Sequence, residues 1–377
     1  MSNPKRHVLI VMHNLAGGGA EKMMVRLANH LVQQGELVSV LLIGSGGANT
    51  RALSTDIELF ELHCSRTLTS FVPLRRAISE ISPDAILSVL THVNVITSIV
   101  CLSLGLGRIL HCSERNTFSF DRLVNNALLM RFIYRIAPIV YRLQPNPVIA
   151  VSEGVRQDLI ATTILRPCDV VVAPNPVITN DLMAMARQKP KHVWLSHKSL
   201  PVIVSVGRLA EQKGFDILLK AFKEVVASVD CRLIIFGEGT LRKPLEDLTH
   251  ELGLSKYVSF PGYADNPIAE MNAADLFVLS SRFEGSPNVL VEAMSVGTKV
   301  VAFDCPSGPK EILNNGRIGS LVEYGNSSAL TAAIVEQLEK NGRGKDDEVQ
   351  KSAHARYSSE NSAKNYVALL FRQGKVK

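Results

Sequence analysis

Cysteine is scarce and scattered in this chain: six residues among 377, at positions 64, 101, 112, 168, 231 and 305, with no C-x-x-C and no Cys/His pair at zinc-finger spacing. That pattern excludes a disulfide framework and a structural zinc site as the source of stability, and fits a reducing cytosol. Aromatic residues are only 6% of the chain and tryptophan occurs once. The basic residues are therefore not interleaved with stacking side chains, and no nucleic-acid motif accompanies them, so nucleic acid is set aside as a partner. Low-complexity tracts and repeats of 20–50 residues are missing, which sets aside disordered and solenoid architectures. The start, MSNPKRHVLIVMHN, has too few apolar residues before His13 for a signal peptide, so export by that route is not expected. Also missing are G-x-G-x-x-G and the P-loop G-K-[ST], which removes the main support for NAD binding or ATP hydrolysis.

What is present is an apolar-rich chain, 46% hydrophobic and 20% charged, long enough for two cores rather than one. Short apolar runs alternate with longer helical patterns, the signature of parallel sheets built from βαβ units. In the first half the strands read HVLIVM, LVSVLLI, AILSVL, RILHC, PVIAV and DVVVA; a second series begins at PVIVSV and continues through CRLIIF, YVSF, DLFVL and TKVVAF. Between the series, the stretch from Ala184 to Ser199 is polar, basic and contains Pro190. The expectation is an α/β protein of two tandem Rossmann-like, doubly wound parallel-sheet domains facing across a cleft, with boundaries at 1–177, a linker at 178–200, a second domain at 201–357 and a terminal segment at 358–377. Open parallel sheets bind ligands at their strand carboxyl ends, so the cleft is the default site.

One run, Ala85 to Gly107, carries no charge over a length that would span a bilayer. His92 and Asn94 inside it, with Ser88, Thr91, Thr97 and Ser98 around them, argue instead for a strand, a polar turn and a buried helix. Charge is uneven: residues 1–190 hold 18 Lys and Arg against 13 Asp and Glu, and the remainder 23 against 22. The first half therefore suits an anionic partner. Within it, Asp121–Leu143 sets Arg122, Arg131, Arg135 and Arg142 against one aspartate in an apolar stretch. That composition suits the interface of an anionic membrane, with Pro138 expected to kink or divide the helix. A core-facing helix with snorkelling arginines fits the same residues equally well.

Three turns carry candidate chemistry. The first strand ends in H-N-L-A-G-G-G-A-E (13–21), where Gly17, Gly18 and Gly19 feed a helix whose N-terminus favours an anion, or simply allow a tight turn. The second series opens with G-R-L-A-E-Q-K-G (207–214). There the planar fork of Arg208 and the mobile charge of Lys213 bracket a strand-to-helix turn, suited to a diphosphate, although lone cations are common on exposed loops. The third is F-E-G-S-P-N-V-L-V-E-A-M (283–294), in which Ser286 suits an N-cap, Pro287 the first helical position, and Gly297 the close of the helix. Asn288, Glu292 and Ser295 then share a polar face opposite Leu290, Ala293 and Met294. Glu292 is either on the wet side of that helix or a partner for a ribose diol, and Glu284 either a favourable anion at a helix start or a contact to sugar hydroxyls.

These motifs, in this order and with G-E-G at 237–239, resemble glycosyltransferase family 4, the E-G-S-P-N-V-L-V-E segment with its E-x7-E spacing most specifically. The resemblance covers nearly the whole chain. It implies a GT-B fold, a retaining transferase that uses a nucleotide-activated sugar and needs no metal or other cofactor, an acceptor held by the amino-terminal domain, and a last helix, about 359–374, that crosses back onto that domain. Residue by residue, it implies Arg208 and Lys213 on the donor diphosphate, Glu292 on the ribose, Glu284 on the transferred sugar, and Gly237 and Glu238 beside the nucleotide. Ser286, Pro287 and Asn288 would line the donor, while Gly17 and Gly18 let the first loop close over the phosphates. Where relatives carry an active-site histidine, this chain has Glu114-Arg115 after His111, which leaves the general base open among Glu114 and His92; His111 itself falls within the strand. The implied reaction is transfer from a nucleotide sugar, UDP being the family's suggestion, to a glycan or lipid-linked acceptor in surface polysaccharide or glycolipid assembly, in the cytoplasm or on the inner membrane face. A nucleotide-sugar epimerase and a non-catalytic nucleotide-sugar-binding subunit are the alternatives.

Overall fold

The computed structural model describes residues 5–16, 18–125, 127–339 and 345–372. The chain divides into two compact units, Met1–Val177 with Ser359–Lys377, and Ile178–Ser358. In the first, seven strands, β1 (His7–Met12), β2 (Leu37–Leu42), β3 (Glu58–Glu61), β4 (Ala85–Val89), β5 (Leu110–Glu114), β6 (Val148–Ala150) and β7 (Val170–Val172), pair in the order β3-β2-β1-β4-β5-β6-β7. All are parallel, with Val8 of β1 set between Val38 and Ala85. Val8, Leu9, Ile10 and Val11 are fully buried, because helices cover both faces of such a sheet and leave no polar side for alternation. The strand order reverses between β1 and β4, which makes their carboxyl ends a topological switch point.

The uncharged run resolves into β4 and the helix Thr91–Leu104, joined through Leu90 alone, so His92 and Asn94 sit in the helix's first turn rather than in a polar turn. Among the described residues no helix is long and apolar enough to cross a membrane. The arginine-rich segment divides, but not at Pro138. It divides into the helices Phe118–Val124 and Leu128–Leu143, and the second runs unbroken through Pro138. The physical cause is local: Asn125 turns back on the first helix, its side chain donating to the Asp121 carbonyl at 2.7 Å.

The second unit repeats the plan with β8 (Val202–Val206), β9 (Arg232–Phe236), β10 (Val258–Gly262), β11 (Leu276–Leu279), β12 (Lys299–Asp304) and β13 (Ser320–Glu323), ordered β10-β9-β8-β11-β12-β13 and all parallel. Its switch point lies between β8 and β11. The stretch 178–200 is built into this unit rather than strung out as a linker. It forms the short helices Leu182–Ala186 and Val193–Ser196, and Glu270 accepts the backbone N–H of Lys191 at 2.7 Å. A helix at Asp347–Tyr357 starts on Asp346, whose carboxylate accepts the N–H groups of Glu348 and Val349. The final helix, Ser359–Leu370, belongs to the first unit, where Tyr366 is fully buried. Arg115 anchors it, with its guanidinium 5.8 Å from the Tyr366 ring and one nitrogen donating to Asn175 at 2.6 Å.

Candidate active site

The second unit gathers most of the singled-out residues at the carboxyl ends of β8, β9 and β11. Lys213 donates to Glu284 Oε1 at 2.6 Å, and Ser281 Oγ donates to the same oxygen at 2.6 Å. The two loops are stitched by further bonds: Arg282 N–H to the Gln212 carbonyl (2.7 Å), Gln212 Nε2 to the Phe283 carbonyl (3.0 Å), and a bidentate Arg282–Asp216 pair with both contacts at 2.8 Å. The Arg282 pairing holds the Asp216 carboxyl below the usual carboxylate range. None of these stitches was legible in the motif, because they join residues some 70 positions apart. Glu284 is only 6% exposed, whereas Arg208 stands exposed with no side-chain hydrogen bond to a described residue. Arg208 and Lys213 therefore put a guanidinium fork and an ammonium at one strand-to-helix turn, the donor types that suit a diphosphate.

Gly237 explains how the loop after β9 fits against that turn. Its φ is +139°, and a Cβ there would lie 1.9 Å from the Gly207 carbonyl oxygen, so only glycine allows this approach. Gly237→Ala is expected to destabilise the protein by about 2 kcal/mol or more, read as a lower denaturation midpoint; an unchanged midpoint would mean that the loop relaxes without harm. Glu238 is engaged locally, since Arg242 bonds its carboxylate and also donates to the Phe260 carbonyl at 2.7 Å.

The helix expected to start at Pro287 spans Asn288–Ser295, with Pro287 itself at the cap position and Ser286 one residue outside. It ends as expected at Gly297 (φ +71°), where the N–H groups of Gly297 and Thr298 bond back to Met294 and Ala293. Glu292 is not on a wet face. It is 4% exposed; the neighbouring Ser295 is fully buried where the helix Asp347–Tyr357 packs on this one. Gln350 and His354 both bond to the Ser295 carbonyl at 3.0 Å.

In the first unit the candidates separate. Gly17 lies outside the described residues; Gly18 caps the helix Gly19–Gln33 without a side chain, and Glu21 supplies an acid in its first turn. Glu114 is no exposed base. It is 3% exposed and accepts hydrogen bonds from Tyr141, from Thr91 (2.9 Å) and from Asn94 (3.4 Å). Burial pushes its carboxyl up to about 7 against those bonds. His111 is buried near the start of β5, at the far end of the strand from the switch point, and burial lowers it to about 4. His92 is half-buried beside His13, a residue that the motif reading passed over.

With this geometry in place, two family models match in tandem: Glycosyltransferase Family 4 over residues 17–181 and Glycosyl transferases group 1 over residues 187–356. The chain belongs to glycosyltransferase family 4. It is 30% identical to the N-acetylgalactosamine-N,N'-diacetylbacillosaminyl-diphospho-undecaprenol 4-alpha-N-acetylgalactosaminyltransferase of Campylobacter jejuni over 62% of this chain. That match spans 58% of the Campylobacter protein, less than two thirds of its length. A lipopolysaccharide core biosynthesis glycosyltransferase, LpsD of Rhizobium meliloti, is 29% identical over 86% of each chain. Among solved structures, Anabaena Alr3699/HepE in complex with UDP and glucose superposes with a TM-score of 0.79 over 97% of this chain and 99% of that one; at 21% identity it shows the shared GT-B fold.

Proposed function

We propose that this glycosyltransferase moves a hexose, with retention of anomeric configuration and without a metal ion, from a UDP-sugar to a glycan or lipid-linked acceptor in surface polysaccharide or glycolipid biosynthesis. One observation carries the reading. Arg208 and Lys213 bring two cations to the switch-point turn of the second unit, and Lys213 is bonded there to Glu284 of the E-x7-E segment. Charge that develops on a departing diphosphate needs fixed positive partners, and these two residues supply them. The Lys213 ammonium has three donors, so its bond to Glu284 leaves capacity for a phosphate oxygen. Glu284, held by Lys213 and Ser281, then faces the group being transferred, and Glu292 takes the ribose. Ser286, Pro287 and Asn288 offer the start of the intervening helix to the donor.

The relatives named above, one acting on a diphospho-undecaprenol sugar and one on lipopolysaccharide core, support a lipid-linked or membrane-borne acceptor. The enzyme then works as a peripheral protein on the cytoplasmic face of an anionic membrane. Screening UDP-sugars by thermal shift, followed by product analysis with lipid-linked acceptors and NMR of the new anomeric proton, tests the reading. Transfer is expected to persist at full rate in excess EDTA. Loss of transfer on chelation with recovery on Mg²⁺ would replace the metal-free mechanism. Conversion of the donor without acceptor-dependent product would point to an epimerase, and donor binding with no turnover to an idle subunit.

A further inference from the structure

Two adjacent serines end β11, and their hydroxyls go to the two halves of one ion pair. Ser280 Oγ donates to the backbone carbonyl of Lys213 at 2.9 Å. Ser281 Oγ donates to Glu284 Oε1 at 2.6 Å, the same oxygen and the same distance as the Lys213 ammonium. The serines follow the apolar strand Leu276–Leu279 and are themselves 1% and 0% exposed. Burying a hydroxyl is unfavourable unless it is bonded, and a bond that satisfies it returns little net stability. What such a pair contributes is geometry.

That geometry matters most for Lys213, because an ammonium on a four-carbon stem is a mobile charge. Its backbone is pinned at both ends, the N–H bonding to the Ala210 carbonyl at 3.0 Å and the carbonyl accepting from Ser280. Its stem lies across Gly207, where a Cβ would come within 3.2 Å of Lys213 Cδ. The next residue, Gly214, has φ +61°, and a Cβ there would run into the Ser280 carbonyl oxygen, so the end of β11 and the Lys213 turn are in direct contact. On the other side, the Glu284 N–H bonds to the Pro306 carbonyl at 3.1 Å, after β12. This fixes the Glu284 backbone, and Ser281 with Lys213 then sets the direction of the carboxylate.

We propose that Ser280 and Ser281 are positioning residues with separate roles: Ser280 places the Lys213 ammonium for the donor diphosphate, and Ser281 aims the Glu284 carboxylate at the transferred sugar. The proposal rests on the transferase reading above and divides its donor site into a grip and an alignment, each set by one hydroxyl. A group displaced by about 1 Å can cost about a hundredfold in rate even when the altered residue lies outside the chemistry.

Calorimetry of UDP and steady-state transfer from the UDP-sugar that yields product in the screen separate the two roles. Ser280→Ala is expected to weaken UDP binding about three- to tenfold, the scale of one neutral hydrogen bond. Ser281→Ala is expected to lower kcat at least about tenfold, since its bond is to a carboxylate, with UDP affinity within about twofold of wild type. Ser281→Cys, close in size and a weaker donor, should fall between Ser281→Ala and wild type. Packing alone would shift the denaturation midpoints of both variants without this split between affinity and kcat. Arg208→Ala, measured alongside, is the control on the donor reading. If it weakens UDP binding while Ser280→Ala keeps its affinity and Ser281→Ala its kcat within about twofold, the positioning roles fall and the transferase reading stands. A loss of UDP affinity in Ser281→Ala that matches its loss of kcat would also overturn the division. A wild-type chain that neither binds UDP nor transfers sugar would remove both.

Discussion

Lys213→Ala is expected to weaken UDP binding at least tenfold and to lower stability as well, whereas Arg208→Ala should weaken UDP binding similarly and leave stability unchanged. The contrast follows from where the two cations sit. Arg208 is exposed and bonds to no described side chain, so in the proposed reading its removal deletes only a charge-assisted bond to the diphosphate, worth about 1.5–3 kcal/mol or roughly ten- to a hundredfold in affinity. In the proposed reading Lys213 has the same role, and in the structure it also donates to a Glu284 carboxylate that is only 6% exposed. Removing one member of a buried ion pair destabilises by about 3–5 kcal/mol, and Lys213 is partly exposed, so a value at or below the lower end is expected. Glu284→Gln in the Lys213→Ala background should recover part of that stability, because a neutral amide does not need the cation, while UDP affinity stays low. Calorimetry and chemical denaturation on the four proteins separate the two effects. Unchanged UDP affinity in both single variants would remove the diphosphate assignment.

The central strands were legible in the sequence because burial on both faces leaves an unbroken apolar run: HVLIVM, AILSVL and TKVVAF coincide closely with β1, β4 and β12. β3 and β13 escaped because both lie at sheet edges and carry glutamates within four residues, E-L-F-E and S-L-V-E. The helix Asp347–Tyr357 escaped for a related reason, since only Val349, Ala353 and Tyr357 are buried in an otherwise polar stretch. That omission carried a second one with it. The helix after Glu284 reads as amphipathic on its own, and the helix that packs on it at Ser295 lies some 50 residues later in the chain. Periodicity reports a single helix's pattern and not what packs on it. The donor-side motif was therefore readable as a motif, but the burial of Glu292 was not. In the first unit the problem is sharper. Glu114 reads as a candidate base after a strand, and only Thr91, Asn94 and Tyr141, brought together from two helices, make it a buried hydrogen-bond acceptor.

Reversing two charges on the helix Leu128–Leu143 is expected to detach the protein from anionic vesicles. A helix that packs on a core normally shows a polar outer side; this one mixes large apolar residues with arginines there. Its inner side buries Ile133, Tyr134, Ala137, Pro138 and Tyr141, while Leu128 (82%), Phe132 (59%), Ile139 (51%) and Leu143 (70%) are exposed. Arg131 and Arg135 are exposed on the same stripe, at the three- and four-residue spacings that align side chains along one helix face. The preceding helix adds exposed Leu123 and Val124 with Arg122. Arg142, counted with the others in the sequence, turns inward and bonds to buried Asp169 at 3.4 Å, so it is not part of this surface. Arginines snorkelling from an otherwise covered helix would leave few apolar residues in water, and here five large ones remain there, Leu129 (44%) among them. An anionic interface accommodates both components, with each arginine contributing about 1 kcal/mol and the apolar side chains inserting beside them. Co-sedimentation with phosphatidylglycerol-containing vesicles is therefore expected at low salt, with release as salt screens the arginines. Arg131→Glu with Arg135→Glu should lower partitioning at least about tenfold, since two attractive contributions of about 1 kcal/mol each become repulsive. Phe132→Ser should weaken binding while keeping its salt dependence, because it removes the apolar component alone. Equal partitioning onto neutral and anionic vesicles, or no binding to either, would mean that this helix face meets something other than an anionic membrane.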